Sequence, residues 1–476
     1  MYSNGQFWNK TYLADRPVML FSSIVHDDTC YKVIGVTAGH TDNFAKALLG
    51  NIDLSGELTN YKLIGDSILA DYSLFKNSLI KTSDGRFAFT GYSYQQEAYL
   101  FFGIASPRFD SISVFRYTMP NTFAYFGNAL IQKDGYYYIT GLRTDSAQND
   151  VNVCLIKIDS LGNKVFERKW GQIDRYEEAH SLTALANGNI LIGAERVQVD
   201  LAPETSHTWL IEVNTSGGIV RQWLDPNDST YGAFGLQQTS DGGFIYGAQK
   251  KFEQTVNSVN YTATIVKLDN AFNKQWTFSG GYPGAETGFF DICQNENSEI
   301  IACGKSNYRF AWVVKLTAAG FPIWDKEYAV NTASGESHLK DIDTMEDGSL
   351  IAVGQYLDLG GSPPQVGWFL KLNSEGCEIE NCAVGIDELK PVTSVGKINL
   401  YPNPAQRSIT FDYENIPENS RLMVTDLVGQ VITTLPLASA YGTLTLNTGN
   451  YPNGVYLLSA EADGKVLLKQ KFIVLK

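Results

Sequence analysis

Asp84-Gly85-Arg86-Phe87-Ala88-Phe89-Thr90-Gly91 sets a turn pair, alternating apolar residues and a closing glycine in one short run. The same order returns at Asp134-Gly135 to Gly141, Asn187-Gly188 to Gly193, Asp241-Gly242 to Gly247 and Asp347-Gly348 to Gly354, with weaker copies at Asp28-Thr29 to Gly35 and Asn297-Ser298 to Gly304. The seven closing glycines are spaced by 56, 50, 52, 54, 57 and 50 residues, a period that marks an internal structural repeat. Asp-Gly or Asn-Gly between alternating apolar residues predicts a tight hairpin of type I′, which needs positive φ at both central positions. The closing glycine predicts a place where the strand ends and backbone packs closely.

A further strand follows each hairpin: Leu155-Ile156-Lys157-Ile158-Asp159, Leu210-Ile211-Glu212-Val213-Asn214, Ile265-Val266-Lys267-Leu268-Asp269, Val313-Val314-Lys315-Leu316 and Phe369-Leu370-Lys371-Leu372-Asn373. A turn then leads to a fourth strand bearing Phe166, Trp223, Trp276 or Trp324. Four strands in roughly 50 residues is the arithmetic of a propeller blade. The seventh repeat breaks off at Cys377 after three strands, and Trp8-Asn9-Lys10-Thr11-Tyr12 matches Trp324-Asp325-Lys326-Glu327-Tyr328. The expectation is therefore an all-β chain: residues 1–382 form a seven-bladed β-propeller closed by the N-terminal strand, followed by a linker over 383–397 and a small β-sandwich over 398–476.

Composition fits short strands and tight turns, with 43 Gly, 26 Tyr and 25 Phe against 5 Met and 5 His. A net charge of −14 excludes nucleic acid as a partner, because phosphate binding needs a concentrated basic surface. No apolar run approaches the roughly 18 residues of a membrane span. Met1-Tyr2-Ser3-Asn4 runs directly into a strand-like segment, so export would require that a leader has been removed. Of six cysteines, Cys377 and Cys382 predict a disulfide in an oxidising compartment. Cys293 and Cys303 lie on the two arms of one hairpin, as a facing pair or as buried thiols, and Cys30 and Cys154 read as core.

The last eighty residues carry four motifs in order: Leu400-Tyr401-Pro402-Asn403-Pro404-Ala405, Asp426-Leu427-Val428-Gly429-Gln430, Tyr451-Pro452-Asn453-Gly454-Val455-Tyr456 and Lys471-Phe472-Ile473-Val474-Leu475-Lys476. This stretch resembles the type A C-terminal sorting domain of the type IX secretion system of Bacteroidota, and the ring resembles propellers common in secreted proteins of that phylum. The resemblance implies passage through an outer-membrane translocon, docking on a β-barrel shuttle protein, and commonly removal of the domain by a sortase-like protease. Residue by residue, Pro402 to Pro404 suits a bend entering the first strand, and Asp426 to Gln430 suits a hairpin turn.

No nucleophile motif, phosphate loop or zinc-binding spacing is present. Glu178-Ala179-His180, Glu286-Thr287-Gly288 and Glu336-Ser337-His338 start three first strands, with Asp71 in an equivalent place. Their carboxylates and histidines form a candidate ligand face, as a metal site, an acid–base pair or ties between blades. Asp225-Pro226-Asn227-Asp228 and Asp145 to Asp150 are oxygen-rich loops of the kind that hold Ca²⁺, without EF-hand spacing, so no cofactor is assigned. Tyr136-Tyr137-Tyr138 offers a sugar-stacking surface, though at least one of the three must face the core. Three functions remain: a surface or secreted binding protein for a glycan or a protein, a subunit of the secretion or gliding machinery that keeps its sorting domain, and a carbohydrate-active hydrolase or lyase using the acidic rim.

Overall fold

The computed structural model of the chain describes residues 7–13, 18–27, 29–38, 45–64, 78–94, 98–118, 122–145, 150–172, 175–198, 205–226, 230–255, 258–281, 287–306, 309–331, 335–358, 365–378, 397–414, 416, 420–426, 431–437, 439–462 and 465–476. They are all-β, in two compact units, Met1–Cys382 and Ala383–Lys476. The segment expected as a linker lies outside the described residues as far as 396.

The first unit opens with β1 (Trp8–Tyr12), β2 (Val18–Asp27), β3 (Cys30–Ala38), β4 (Ala45–Asp53) and β5 (Leu58–Ile64). The second repeat supplies β6 (Leu79–Lys81), β7 (Phe87–Tyr94), β8 (Ala98–Ala105) and β9 (Ile112–Tyr117), and the third β10 (Thr122–Lys133), β11 (Tyr136–Asp145), β12 (Asp150–Ile158) and β13 (Lys164–Trp170). Next come β14 (Arg175–Ala184), β15 (Ile190–Gln198), β16 (Thr205–Val213) and β17 (Ile219–Leu224), then β18 (Thr230–Gln238), β19 (Phe244–Thr255), β20 (Ser258–Leu268) and β21 (Lys274–Gly280). The sixth repeat holds β22 (Gly288–Gln294), β23 (Ile300–Lys305), β24 (Ala311–Leu316) and β25 (Pro322–Tyr328), and the last β26 (Glu336–Thr344), β27 (Leu350–Leu357) and β28 (Gln365–Leu372).

Strand pairing corrects the propeller expectation. The ladders form not seven separate blades but five open sheets: two of eight strands, and three of four in β6–β9, β18–β21 and β22–β25. Single parallel bridges, Val18 to Gln365 and Val151 to Tyr176, fuse neighbouring repeats into the eight-stranded sheets. Among the described residues no sheet closes on itself, so neither the closed seven-bladed ring nor the likeness of residues 1–382 to secreted propellers stands. The period fixes how many hairpins there are; it cannot fix which edges bond. β1 runs antiparallel to β28, from Trp8 opposite Lys371 to Tyr12 opposite Gly367, and supplies a fourth strand beside β26–β28.

Local chemistry explains the repeat. Among the described residues only the pair Asp134 and Gly135 both take positive φ; at Gly85, Gly188, Gly242 and Gly348 the glycine alone does, so most of these hairpins use a type I turn followed by a left-handed glycine. The Asp or Asn that follows most third strands is a turn acceptor: the Asp159 carboxylate accepts from the amides of Leu161 and Asn163, and the Asn214 side-chain carbonyl from those of Ser216 and Gly218. The closing glycines do not end strands. Gly35 and Gly354 lie inside β3 and β27, where an added Cβ would sit 1.9 Å from the Leu20 and His338 carbonyl oxygens.

Fourth-strand aromatics reach across to the next repeat. The Trp8 indole covers Gly56, Phe166 covers Gly217, Trp276 covers Gly320 and Trp324 covers Gly376, each glycine at positive φ. Tyrosines finish the latch, with the hydroxyls of Tyr12, Tyr117 and Tyr328 donating to the carbonyls of Gly56, Gly162 and Gly376 at 2.8–2.9 Å. The apolar clusters accordingly span adjacent repeats, as where Trp324 and Tyr328 pack with Leu339, Trp368 and Leu370.

The second unit has β29 (Lys397–Tyr401), β30 (Ser408–Glu414), β31 (Arg421–Thr425), β32 (Val431–Pro436), β33 (Gly442–Asn447), β34 (Gly454–Ala462) and β35 (Lys465–Val474). Two open sheets, ordered β29-β30-β33 and β32-β31-β34-β35, share one core that includes Ile398, Phe411, Leu422, Leu458 and Phe472. Among the described residues no helix is long and apolar enough to cross a membrane.

The β1 latch sets a stability test. Trp8 is buried and its ring fills the space over Gly56, so Trp8→Ala should cost about 3–5 kcal/mol in denaturant unfolding of the first unit. Tyr12→Phe, which removes only the bond to Gly56, should cost about 1 kcal/mol.

Candidate functional site

Two places gather the residues singled out in the sequence. The first lies on the opening strands of the repeats in the N-terminal unit. Glu178 on β14 accepts from the Asn128 amide at 2.7 Å and from the Tyr176 hydroxyl. His180 is buried with Nε2 3.4 Å from the Glu195 carboxylate of β15. Burial pushes the His180 pKa down, but the charge and hydrogen bond of Glu195, with Glu178 behind it, raise it above the ordinary value. Glu336 on β26 meets His338 Nε2 at 3.2 Å and Lys305 Nζ at 3.5 Å. Burial, helped by Lys340 and Lys305, depresses the His338 pKa to about 2, which keeps its imidazole neutral.

Glu178 and His180 form one polar group, and Glu336 and His338 another. The His180 ring lies 4.7 Å from that of Phe234, which in turn lies 6.1 Å from that of Phe290. Asp71 and Glu286 lie outside the described residues. Two further carboxylates, which sequence reasoning missed, bond the next opening strand directly. Asp291 accepts from the Ile342 amide, and Asp341 accepts from the Ser23 hydroxyl and the Ile24 amide, all at 2.7–2.9 Å. Their signal was present in the alignment of repeats: each sits five residues after a Glu of the pattern and directly precedes an Ile.

The loop candidates resolve differently. Asp225 is buried against Lys274 at 2.6 Å, so its charge is already met, while Asn227, Asp228 and residues 146–149 lie outside the described residues. Among the described residues no group of three or more His, Cys, Asp or Glu could hold a metal ion. Tyr137 and Tyr138 are core, and Tyr136 is exposed beneath the Lys157 ammonium. Cys377 is half of a disulfide, and Cys382 lies outside the described residues. Cys293 stands opposite Ile301 and not Cys303, and both cysteines are buried thiols. An open recess of about 460 Å³ lies at the other end of β14 and β18, around Thr183 and Gln238, away from the rim.

The second place is the end of the chain. Here the separate motifs meet around β35. Tyr401 is the last residue of β29, so Pro402 and Pro404 form a bend that leaves the first strand of the unit instead of entering it. The bend delivers Asn403 and Ala405 to β35. The Asn403 side chain accepts from the Ile473 amide at 2.8 Å, and Ala405 exchanges backbone bonds with Ile473 and Leu475. From the third motif, the Asn453 side chain accepts from the Lys476 amide, while Gly454 opens β34 opposite Val474. The Lys476 ammonium donates to the carbonyls of Gly449 and Tyr451, and Tyr456 stacks on Phe472 with ring centres 5.5 Å apart. Lys471 pairs with Leu457 across β34. Asp426 stands at the end of β31, and its charge contributes, after burial, to raising the Tyr456 pKa; Gly429 and Gln430 lie outside the described residues.

Residues 399–475 match the family described as the secretion system C-terminal sorting domain. The match assigns the chain to export by a type IX-like pathway. No curated protein matches the chain. Among solved structures, the BP39L lectin of Burkholderia pseudomallei aligns with a TM-score of 0.52 at 10% identity, over 76% of this chain and 98% of that one. The polysaccharide lyase Uly1 aligns at 0.45 and 10% identity, over 78% and 93%. PorZ, a surface component of the type-IX secretion system of Porphyromonas gingivalis, aligns at 0.17 and 8% identity, over 98% and 100%. The likeness to the lectin concerns the all-β fold alone, and the other two carry no argument.

Two outcomes are expected. Asn403→Ala should speed amide exchange at Ile473 roughly fivefold, the loss of a bond worth about 1 kcal/mol, measured by hydrogen exchange on the full chain. The second concerns pH. The folded chain refuses a proton at His338 that the unfolded chain takes up near 6.5, so the stability His338 confers is complete above that value and is lost as pH falls below it. His180 acts in the opposite sense, stabilising below its unfolded value and losing that contribution as pH rises through its raised one. His338→Gln should therefore show a smaller fall in melting temperature than the unaltered chain between about pH 7 and about pH 5.

Proposed function

We propose that the chain is an exported binding protein of the cell surface or its surroundings. Its C-terminal unit engages the type IX translocon and the outer-membrane shuttle barrel, and its N-terminal unit is the cargo, which binds a glycan or a protein. The observation that carries this reading is the convergence of Asn403, Ala405, Asn453 and Lys476 on the last strand, within the stretch that matches a sorting family. Binding is favoured over hydrolysis by the state of the acidic rim. Glu178 is engaged by Asn128 and Tyr176, and Glu336 by Lys305 and His338, so each carboxylate is spent on a neighbour in its own group.

The test is to locate the C-terminus of the native protein by mass spectrometry, in culture medium and in outer-membrane fractions. A chain that ends between residues 383 and 397 is expected for displayed or released cargo. A chain that ends at Lys476 and copurifies with an outer-membrane barrel would overturn the cargo reading in favour of a subunit of the machinery.

A further inference from the structure

Five opening strands carry one extra residue against their partner strand: Ser22, Asn128, His180, Phe290 and Lys340. A bulge takes that residue out of the ladder and re-aims its side chain. The residue after it does the same work in several repeats, since Ser181, Asp291 and Asp341 all bond backbone of the next opening strand. The bulge residues themselves do not repeat; they are a hydroxyl, an amide, an imidazole, a phenyl ring and an ammonium. Asn128 and His180 are engaged by Glu178 and Glu195, but a position that the fold builds again and again, yet fills differently each time, is not tied to one residue type and is open to recognition.

The Lys340 end of this series has the marks of an anion site. Lys340 Nζ lies 4.4 Å from the centre of the Phe290 ring, and no carboxylate among the described residues pairs with it. Burial and the repulsion of Lys305 lower its pKa to about 8. The nearby carboxylate, Glu336, is already met by Lys305 and His338. Ser22 is 1% exposed, and its hydroxyl has no hydrogen-bond partner among the described residues. Ser22 and Lys340 belong to adjoining strands, because the residues after them, Ser23 and Asp341, are bonded to each other at 2.7 Å. A buried hydroxyl without a partner and a cation without a counter-ion are each satisfied by an anionic oxygen.

We propose that Lys340 and Ser22 bind the anionic group of an acidic saccharide, a uronate carboxylate or a sugar sulfate, beside the ring of Phe290. The saccharide is favoured over an acidic peptide by the rest of the surroundings. Glu336 and the neutral His338 accept hydrogen bonds from sugar hydroxyls, and Glu336 repels a ligand that offers only negative charge. The proposal rests on the reading of the N-terminal unit as binding cargo and names its ligand class.

The test uses the full chain, amine acetylation read by mass spectrometry, and calorimetry. The probes are an oligogalacturonate, a sulfated heparin disaccharide, a neutral maltooligosaccharide and a poly-glutamate peptide. One acidic saccharide should bind and slow acetylation of Lys340 about tenfold while exposed Lys62 labels as before. Which of the two protects tells carboxylate from sulfate. Lys340→Met and Ser22→Ala should each weaken that binding about tenfold. Ser22→Ala is close to isosteric, so it decides the matter should Lys340→Met fail to fold. Lys340 left unshielded by both acidic saccharides, equal protection by the neutral one, or protection by the peptide alone would overturn the proposal. A cleaved, exported chain with an unshielded Lys340 would sink this inference and leave the cargo reading standing; an uncleaved chain in the membrane complex would do the reverse.

Discussion

In four of the repeats a carbonyl of the opening strand occupies the place where its partner's Cβ would be. The oxygens of Leu20, Phe126, Gly288 and His338 lie 1.9–2.0 Å from the Cβ position of Gly35, Gly141, Gly304 and Gly354. Backbone cannot yield by that much, so only glycine fits. The crowding arises where the opening strand accommodates one residue too many, beside the register shifts at Phe21/Ser23, Gly127/Ala129, Phe289/Asp291 and Leu339/Asp341. Three consequences follow from that single irregularity. The glycine becomes periodic in the sequence. The residue after the bulge is turned toward the next opening strand, where Asp291 and Asp341 find backbone amides. The bulge residue is released from pairing, and its side chain is left for other use.

A second constraint works at the outer end of each repeat. A left-handed glycine leaves a bare patch on the turn between third and fourth strands, and the aromatic of the preceding repeat lies on it. Where the glycine is absent the arrangement adapts. Phe272 takes φ of 66° in place of glycine, and its ring packs against Trp223 with Arg221 over its face. Burial of such rings joins adjacent repeats at their outer ends, as the bonds of Asp291 and Asp341 do at their opening strands. Trp8 and Tyr12 show the same economy at the start of the chain. They resemble Trp324 and Tyr328 because both pairs close over an equivalent turn, Gly56 in one case and Gly376 in the other.

These two devices explain what the sequence disclosed. Turn residues, closing glycines and fourth-strand aromatics answer to local sterics, so they recur at readable intervals and located the strands. The pairing of β1 with β28 was legible for the same reason. Sheet edges were not. A single bridge such as Val18 to Gln365 decides whether two repeats make one sheet or two, and no residue type announces it. The candidate site was read only in part. Glu178, His180, Glu336 and His338 were picked for their chemistry, but their grouping depends on Glu195, Lys305 and two phenyl rings far away in sequence. Lys340 and Ser22 gave no motif at all, because a bulge residue is by its nature the one that breaks the pattern.

The C-terminal unit makes the complementary point about motifs that are highly legible. Asn403, Ala405, Asn453 and Lys476 make their polar contacts with backbone of β35 or of the turn before β34. Bonds to backbone are indifferent to which side chains the strand carries, so these residues fix where the strand lies and leave its outward face unspecified. Loss of one of them loosens the last strand. A receptor that reads such a unit must then respond to the placed strand and the surface around it, and short linear fragments of the motifs would lack what it reads. That is why the first and third motifs, far apart in sequence, act as one feature in the fold: each is a different fastening of the strand that the fourth supplies.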